Sequence, residues 1–373
     1  MAGGSTRDMP RWADLVLLPA LNLASALIVA GLVIAVLGES PLKALNLLIY
    51  GSVGYGEAIG FTLYYATNFV FSGLAVAVAF HAGLFNIGGE GQAYIGGLGA
   101  GLVCLFLGFL PPVLVVPLGI LASALFGAAW AYIPGYLQAK RGSHIVITTI
   151  MFNFLAAALM THVMVNVLIK PGQQSPESRE FDPGTWMPFV HEIAARFGVA
   201  MAKSPLNLSI LLAVAVSALV WAFLWRTRWG YALRVVGFNE TAAIYGGIAP
   251  ARVIVGAMAL SGALAGLVGV NEIMGVQHRL LLNFTGGVGY VGIAVALMGR
   301  NHPAGICLAA LLFGALYQGG TELSMEMPGV TRELVVVIEG LVILFCGALE
   351  NIFRARITRL FQRMPAGAVA ASP

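Results

Sequence analysis

Charge is what this chain most conspicuously lacks. Lys, Arg, Asp and Glu make up 10% of its 373 residues, 59% are hydrophobic, and mean hydropathy is +0.89. A water-soluble domain has too little interior to hide that much apolar surface. The balance excludes a soluble protein and implies a polytopic membrane protein built from spans of about 20 apolar residues. Cysteine is scarce as well: Cys104, Cys307 and Cys346 each lie inside an apolar run. They read as small buried hydrophobes, neither disulfide partners nor metal ligands. No His, Cys, Asp and Glu cluster has the spacing of a metal site. No Gly-x-x-x-x-Gly-Lys-Ser/Thr loop occurs, so the chain lacks the usual cradle for ATP phosphates. The glycine-rich stretch 96–101 has no strand before it and reads as helix packing. The formal charge of +4 is modest, and nucleic acid is not expected as a partner.

What the chain does have is a succession of apolar runs. Spans are expected over residues 15–38, 59–80, 91–110, 113–137, 144–169, 206–225, 251–274, 286–299, 304–320 and 333–349. The first follows Arg7 and Arg11 as a signal peptide would. It is longer than a usual signal-peptide core and has no small-x-small cleavage site, so it reads as an uncleaved span. Residues 39–56 are a polar-flanked connection with an amphipathic piece at 42–50. Residues 170–205 carry Pro171, Pro176, Pro183 and Pro188, which makes them a structured loop, with a short interfacial helix at 191–202. Trp12, Trp186, Trp225 and Trp229 are placed as interface anchors.

Positive charge orients the spans. With the amino terminus inside, the inner side receives Arg7, Arg11, Lys140, Arg141, Arg226, Arg228, Arg234, Arg252, Arg300 and the tail arginines 354, 356, 359 and 363. The smaller outer share includes Lys43, Lys170 and Arg279. The two halves also echo each other. Leu125-Phe126-Gly127-Ala128 recurs as Leu312-Phe313-Gly314-Ala315, an offset of 187. Phe71-Ser72-Gly73-Leu74 resembles Leu260-Ser261-Gly262-Ala263 at an offset of 189. A repeat of about five spans is odd-numbered, so its second copy inserts upside down. The expected fold is all-α, with about ten transmembrane helices in two inverted five-helix repeats at 15–169 and 206–350. An outer loop at 170–205 and an inner tail at 351–373 complete a single transmembrane domain, with both termini cytoplasmic.

Three stretches stand out within this frame. Gly83-Leu84-Phe85-Asn86-Ile87-Gly88-Gly89-Glu90-Gly91-Gln92 sets polar side chains among glycines between two apolar runs. It is either a broken membrane helix beside a polar path or a turn at the membrane surface with Glu90 in water. Residues 232–248 combine a basic amphipathic piece with a short helix capped by Asn239 and stopped at Gly246 and Gly247. An ordinary inner loop would explain its arginines, but not the small residues Thr241, Ala242 and Ala243 bracketed by glycines. Residues 289–303 are the third stretch. Glu272 reads as a wet carboxylate near the outer surface, while Glu339 lies deeper in its span. Asn86, Gln92, Asn153 and Gln318 fit either a pathway or interhelical hydrogen bonds, and His81 and His144 read as structural residues at helix ends.

Together these stretches resemble bacterial ABC-importer permeases of the branched-chain amino acid and simple-sugar superfamily. The Glu90-Gly91-Gln92 form is most similar to the longer permease of nucleoside-type systems. The chain departs from the family pattern at Ser143-His144, where Asn-Glu is more usual. The resemblance implies a transport subunit of the bacterial inner membrane that is not itself an enzyme and binds no cofactor. ATP would be used by a partner ATPase subunit. The other partners would be a second, homologous permease, an extracytoplasmic substrate-binding protein and the lipid bilayer. Nucleosides are the first substrate expectation and simple sugars the second. Pathway residues would be Asn86, Gly88, Gly89, Glu90, Gln92, Asn153 and Glu339. The helix coupling to the ATPase would comprise Arg234, Gly237, Asn239, Glu240, Ala242, Ala243, Tyr245 and Gly247, with Arg234 and Glu240 adding rim ion pairs. The rivals are an ion-coupled secondary transporter, disfavoured by few intramembrane acids, and a channel, for which no filter is evident. Reporter fusions within residues 173–178 and after Arg354 should report outside and inside respectively; the reverse pattern would overturn the charge-based topology.

Overall fold

The computed structural model describes residue 13 and residues 17–345. Trp12, Cys346 and the tail arginines lie outside the described residues. The helices are α1 Leu18–Val36, α2 Pro41–Val53, α3 Gly56–His81, α4 Gly89–Phe106, α5 Pro112–Arg141, α6 Ile145–Asn166 and α7 Val190–Arg196. They continue as α8 Ser209–Arg226, α9 Arg228–Phe238, α10 Glu240–Tyr245, α11 Pro250–Gly266, α12 Val288–Met298, α13 Pro303–Glu326 and α14 Arg332–Ile343. A π-helical segment, Val270–Gln277, extends α11. Among the described residues the only β feature is an isolated bridge between Phe189 and Asn207.

Six helices are long and apolar enough to cross a membrane: α3, α5, α6, α8, α11 with its π-helical extension, and α13. Two of the expected spans are shorter apolar helices. One is α1, over residues 20–36, and the other is α12. The 11 residues of α12 rise only about 16 Å, half the thickness of a hydrocarbon core. Residues 278–287 before it are not helical, so that expected span starts late. The expected helix at 191–202 also stops early, at Arg196, because Gly198 turns the chain with φ +77°.

The residues group into two compact units, 1–48 with 320–373, and 49–319. In the first, α1 packs on α14. Its apolar core includes Ala30, Ile34, Ala44, Leu323, Val335 and Ile338.

In the second unit, α3 and the α11 segment are central. The apolar windows of these two are 83% and 67% buried, against 22% for α5, 28% for α6 and 33% for α8. The outer helices therefore turn Leu121, Ile147, Phe154, Leu211 and Leu219 outward, as suits a hydrocarbon solvent. Small residues set the crossings. Gly127 of α5 meets the backbone of Gly262 in α11, and Gly96 of α4 meets Gly266. A side chain at any of these would push the backbones apart, and in lipid such close approach is a main source of helix association. Ser123 Oγ donates to the Gly266 carbonyl at 2.5 Å across the same crossing. Similarly, Gly314 of α13 abuts Thr62 and Ala66 of α3. The rings of Tyr65 and Tyr317 lie 4.6 Å apart alongside.

The long loop between α6 and α8 is tied to the end of the π-helical segment. Ser178 N donates to Leu280 O at 3.1 Å, Phe181 N to His278 O at 2.8 Å, and Met187 N to Met274 O at 2.9 Å. Trp186 stacks on His278 with centroids 3.9 Å apart, so this tryptophan anchors the loop to the protein. Burial there holds the His278 imidazole below its ordinary pKa. Trp225 likewise packs on the rings of His81 and His302.

Glu272 is not a wet carboxylate. It is 5% exposed, inside the π-helical segment, where the irregular turn swings its side chain onto α3. Its Oε1 accepts from Tyr64 OH at 2.5 Å and from Asn68 Nδ2 at 2.6 Å. The neighbouring Asn271 donates to Asn68 Oδ1 at 2.8 Å and accepts from Asn207 Nδ2 and Ser209 Oγ at 2.9 and 2.5 Å. Periodicity hid this cluster, because a π-turn shifts the face on which a side chain emerges. Glu272→Ala would leave the Tyr64 and Asn68 donors unpaired, which costs about 1–3 kcal/mol for a buried group. We expect a lower melting temperature of the purified protein for Glu272→Ala than for Glu272→Gln; equal values would refute a bridging role.

Candidate functional site

The 83–92 stretch is a helix break set inside the bundle. α3 ends at His81, and Gly83, with φ +73°, turns the chain. Gly83 N and Leu84 N cap that end by donating to Phe80 O and Ala79 O. The chain then folds back, and α4 starts at Gly89 with no side-chain cap of its own from Gly88. Its free N–H groups find partners from elsewhere, as a helix start removed from water requires. Asn86 Oδ1 accepts from Gly88 N at 2.9 Å and from Gln92 Nε2 at 3.1 Å. Asn86 Nδ2 donates to Gln92 Oε1 at 2.9 Å and to Ser261 Oγ at 2.8 Å. Ser261 in turn donates to Ala75 O at 2.6 Å. From α6, Asn153 Oδ1 accepts Gly91 N at 2.9 Å, and its Nδ2 donates to Ile87 O at 2.9 Å and to Tyr290 OH at 3.1 Å. Thr149 Oγ1 accepts Ile87 N at 3.3 Å. Asn86 and Gln92 are each 1% exposed and Asn153 7%. Asn86 and Asn153 thus make interhelical hydrogen bonds, and Gln92 bonds Asn86 within the stretch.

Glu90 joins two helix starts. Its Oε1 accepts from Thr285 Oγ1 at 2.5 Å and from Gly287 N at 2.9 Å, and its Oε2 accepts from Gly289 N at 2.8 Å. Gly287 is the N-cap of α12 and supplies no cap itself. The carboxylate of Glu90, in the first turn of α4, thus caps α12, and a negative charge suits both amino-terminal ends. Gly289 lies against the backbone of Gly89 and Glu90 so closely that no Cβ fits. Half-buried and fully engaged, Glu90 is not the solvated residue of a surface turn. The Ser261 contact lies at the twelfth residue of α11, about 16 Å along that helix.

The structure therefore brings together Asn86, Gly88, Gly89, Glu90, Gln92 and Asn153. The side chain of Glu339 lies outside the described residues. Sequence reasoning missed Thr149, Ser261, Thr285 and Tyr290. The spacing of Thr149 and Asn153, one turn apart on one face of α6, was the available signal. Among the described residues, no group of three or more His, Cys, Asp and Glu is placed to hold a metal.

The second cluster is the loop carrying α9 and α10. Thr227 Oγ1 accepts Gly230 N at 3.1 Å and Asn239 Oδ1 accepts Ala242 N at 3.0 Å, so both short helices are capped. Gly247, with φ +75°, ends α10. Gly237 packs directly on the backbone of His81 and Gly83, at the entrance to the helix break. The expected docking residue Ala243 is 0% exposed. Its backbone carbonyl accepts from Ile248 N as α10 ends. The side chains that project are Phe238 at 93% and Tyr245 at 89% exposure, with Ile244 beside them. Asn239, Glu240 and Ala242 are exposed, and Arg234 is half-buried with its Nε unpartnered.

The model of the family described as branched-chain amino acid transport system / permease component matches residues 58–347. The chain belongs to this permease family. The permease is similar to the guanosine ABC transporter permease protein NupP of Bacillus subtilis, 35% identical over 88% of this chain and 92% of the relative. The glucose ABC transporter permease protein TsgB13 of Haloferax volcanii is 31% identical over 96% of this chain and 93% of its own. The nucleoside ABC transporter permease protein NupB of Lactococcus lactis is 30% identical over 88% and 90%. The match to the family model takes in the helix break, the α9–α10 loop and the start of α12.

Glu90 is the residue on which this site is most testable. Glu90→Ala removes every acceptor that caps α12, whereas Glu90→Gln keeps one carbonyl oxygen. Thermal stability of the purified permease should fall in the order wild type, Gln, Ala. Identical melting temperatures would mean that the carboxylate does not hold the two helix starts.

Proposed function

We propose that this permease is the membrane subunit of an ATP-driven importer that moves a small neutral polar solute, a nucleoside first and a simple sugar second. The observation that carries the reading is the family match over 58–347, which covers the helix break and the loop packed against it. The relatives whose names mention guanosine and nucleosides support the first substrate, and the glucose relative supports the second.

The chain lies in the bacterial cytoplasmic membrane with both termini inside. Its ten transmembrane segments form two inverted repeats in one permease domain. Support for the repeat comes from the sequence offsets, by which Gly127 of α5, at the crossing with α11, corresponds to Gly314 of α13, at the crossing with α3. α12, too short to span alone, acts with residues 278–287 as one discontinuous segment, as in other inverted-repeat transporters.

ATP is bound and hydrolysed by a separate ATPase subunit, and a second, homologous permease and an outer substrate-binding protein complete the importer. The α9–α10 loop is the coupling element. Its anchors are Phe238 and Tyr245, because large exposed aromatic side chains dominate docking surfaces. Motion of the loop reaches the helix break through the Gly237–Gly83 backbone contact. An ion-coupled secondary transporter is the second reading. It is favoured by the buried carboxylate of Glu272, but it gives the exposed aromatic loop no role.

The test is uptake by the full transporter in vesicles, with guanosine and glucose as labelled solutes. Uptake should require ATP and survive collapse of ion gradients; dependence on a gradient alone would select the second reading. Phe238→Ala combined with Tyr245→Ala should reduce ATPase co-purification at least tenfold, equivalent to about 1.4 kcal/mol, with the permease still folded. Unchanged co-purification would remove the coupling assignment. Ala243→Arg is unsuitable for this purpose, since it would disrupt the loop from within.

A further inference from the structure

With 11 residues, α12 is too short to be held at both membrane surfaces, so its position rests on what holds its two ends. Its start is held by Glu90 of α4, through Gly287 N and Gly289 N. Its end runs into a tight turn at 299–302. There Gly299 N, Arg300 N and Asn301 N donate back to Val295 O, Leu297 O and Ala296 O at 2.9, 3.0 and 2.8 Å. Arg300 and Asn301 take left-handed φ values of +53° and +55° to make this turn. The Asn301 carbonyl is thereby fixed to the end of α12, and His81 Nε2 lies 2.9 Å from it. A carbonyl only accepts, so Nε2 carries the proton and donates.

His81 sits where four pieces of the protein meet. Its backbone carbonyl lies against Gly237 of α9, so close that no Cβ fits there. Its ring meets that of Trp225 in α8 edge-on, with centroids 5.4 Å apart. Its chain continues into the break at 82–88, which leads to Glu90. Its Nε2 reaches the turn after α12. These contacts close a ring: from His81 through the break to Glu90, from Glu90 to the start of α12, along α12 to Asn301, and back to His81. Inside the ring α12 runs along α3, with Gly292 against Ser72 and Val295 against Gly73. Neither end of α12 can then shift against the break unless the Glu90 bonds or the His81 bond give way.

We propose that His81 is a positioning residue of the transport step: through its Nε2–H it carries displacement of the α9–α10 loop to α12, so that α12 and the start of α4 move as one piece. This rests on the coupling reading above and adds a second branch to it. The peptide of His81 receives the push from Gly237, and the ring passes it to the Asn301 carbonyl. Without the ring donor the loop would still move the break through Gly83, but α12 would lag behind and strain the Glu90 bonds. ATP would then be hydrolysed with less solute moved. A His81 that only fills space beside Trp225 has a different signature: any ring of similar size would replace it, and its loss would show in stability rather than in coupling.

The experiment uses the full transporter in proteoliposomes, with guanosine uptake and ATP hydrolysis measured together. His81→Phe keeps a ring against Trp225 and removes the donor. His81→Gln gives up the ring and keeps an amide N–H the same number of bonds from the backbone. Guanosine moved per ATP should fall about fivefold or more for Phe, the lower end of usual coupling between sites, and recover for Gln. ATPase co-purification and melting temperature of the Phe variant should match wild type. If it does not assemble, His81→Asn, whose amide is one methylene too short to reach Asn301, replaces it. A second readout needs no solute. A bimane on Leu297→Cys, exposed in the last turn of α12, is placed in a background of Cys104→Ser, Cys307→Ser and Cys346→Ser. Its emission should shift on trapping with ATP and vanadate, and that shift should be lost in His81→Phe. Wild-type coupling with an undiminished bimane shift in His81→Phe overturns the relay, and so does a Gln variant no better than Phe. Absence of guanosine uptake by the unsubstituted transporter overturns the substrate reading alone, because the bimane still tests the relay. Unchanged ATPase co-purification in the Phe238 and Tyr245 double variant overturns the coupling reading, and the relay with it.

Discussion

A backbone N–H that starts a helix inside a membrane-buried bundle has no water to bond, and the second unit is arranged around meeting that need. α4 and α12 begin side by side, and neither is capped by the residue before it. The donors of α4 are met by Asn86 and by Asn153 from α6, and those of α12 by Glu90 from α4. Each acceptor is in turn fixed by its own neighbours, Ser261 and Gln92 for Asn86 and Tyr290 for Asn153. The break thus binds α3, α4, α6, α11 and α12 into one polar knot. Glycine at 289 is required because the two helix starts touch backbone to backbone.

Much of this was legible in the sequence. Composition alone established a helical membrane protein. Glycines interspersed with Asn, Glu and Gln marked the break, and Asn239 with Gly246 and Gly247 marked both ends of α10. Less was legible where a contact depends on long-range geometry. Nothing local to Glu90 says that its carboxylate will cap a helix two hundred residues away. Ala243 looked suited to docking because it is small, but its side chain is fully buried within the chain. Glu272 was misread because helical periodicity fails in a π-turn, and burial near a helix end cannot be judged from distance along the chain. The span expected at 286–299 was apolar throughout, but apolarity does not reveal that its first residues are committed to Glu90 and Thr285.

The polar clusters divide the labour along α3. Near its middle, Tyr64 and Asn68 hold the π-helical segment, which the long α6–α8 loop also grips through backbone bonds. Towards its carboxy-terminal end, Ala75 and His81 belong to the helix break and to the surroundings of Trp225.

The touching glycines at 237 and 83 have a mechanical consequence. Side chains at an interface are springs: they hop between rotamers and absorb part of any displacement. Here there are none, since each glycine meets main chain. A push on the α9–α10 loop therefore passes to the first turn of the helix break with almost no compliance, so a short stroke suffices. In the proposed importer, grip and stroke would then rest on different atoms, exposed aromatic side chains for the first and peptide units for the second.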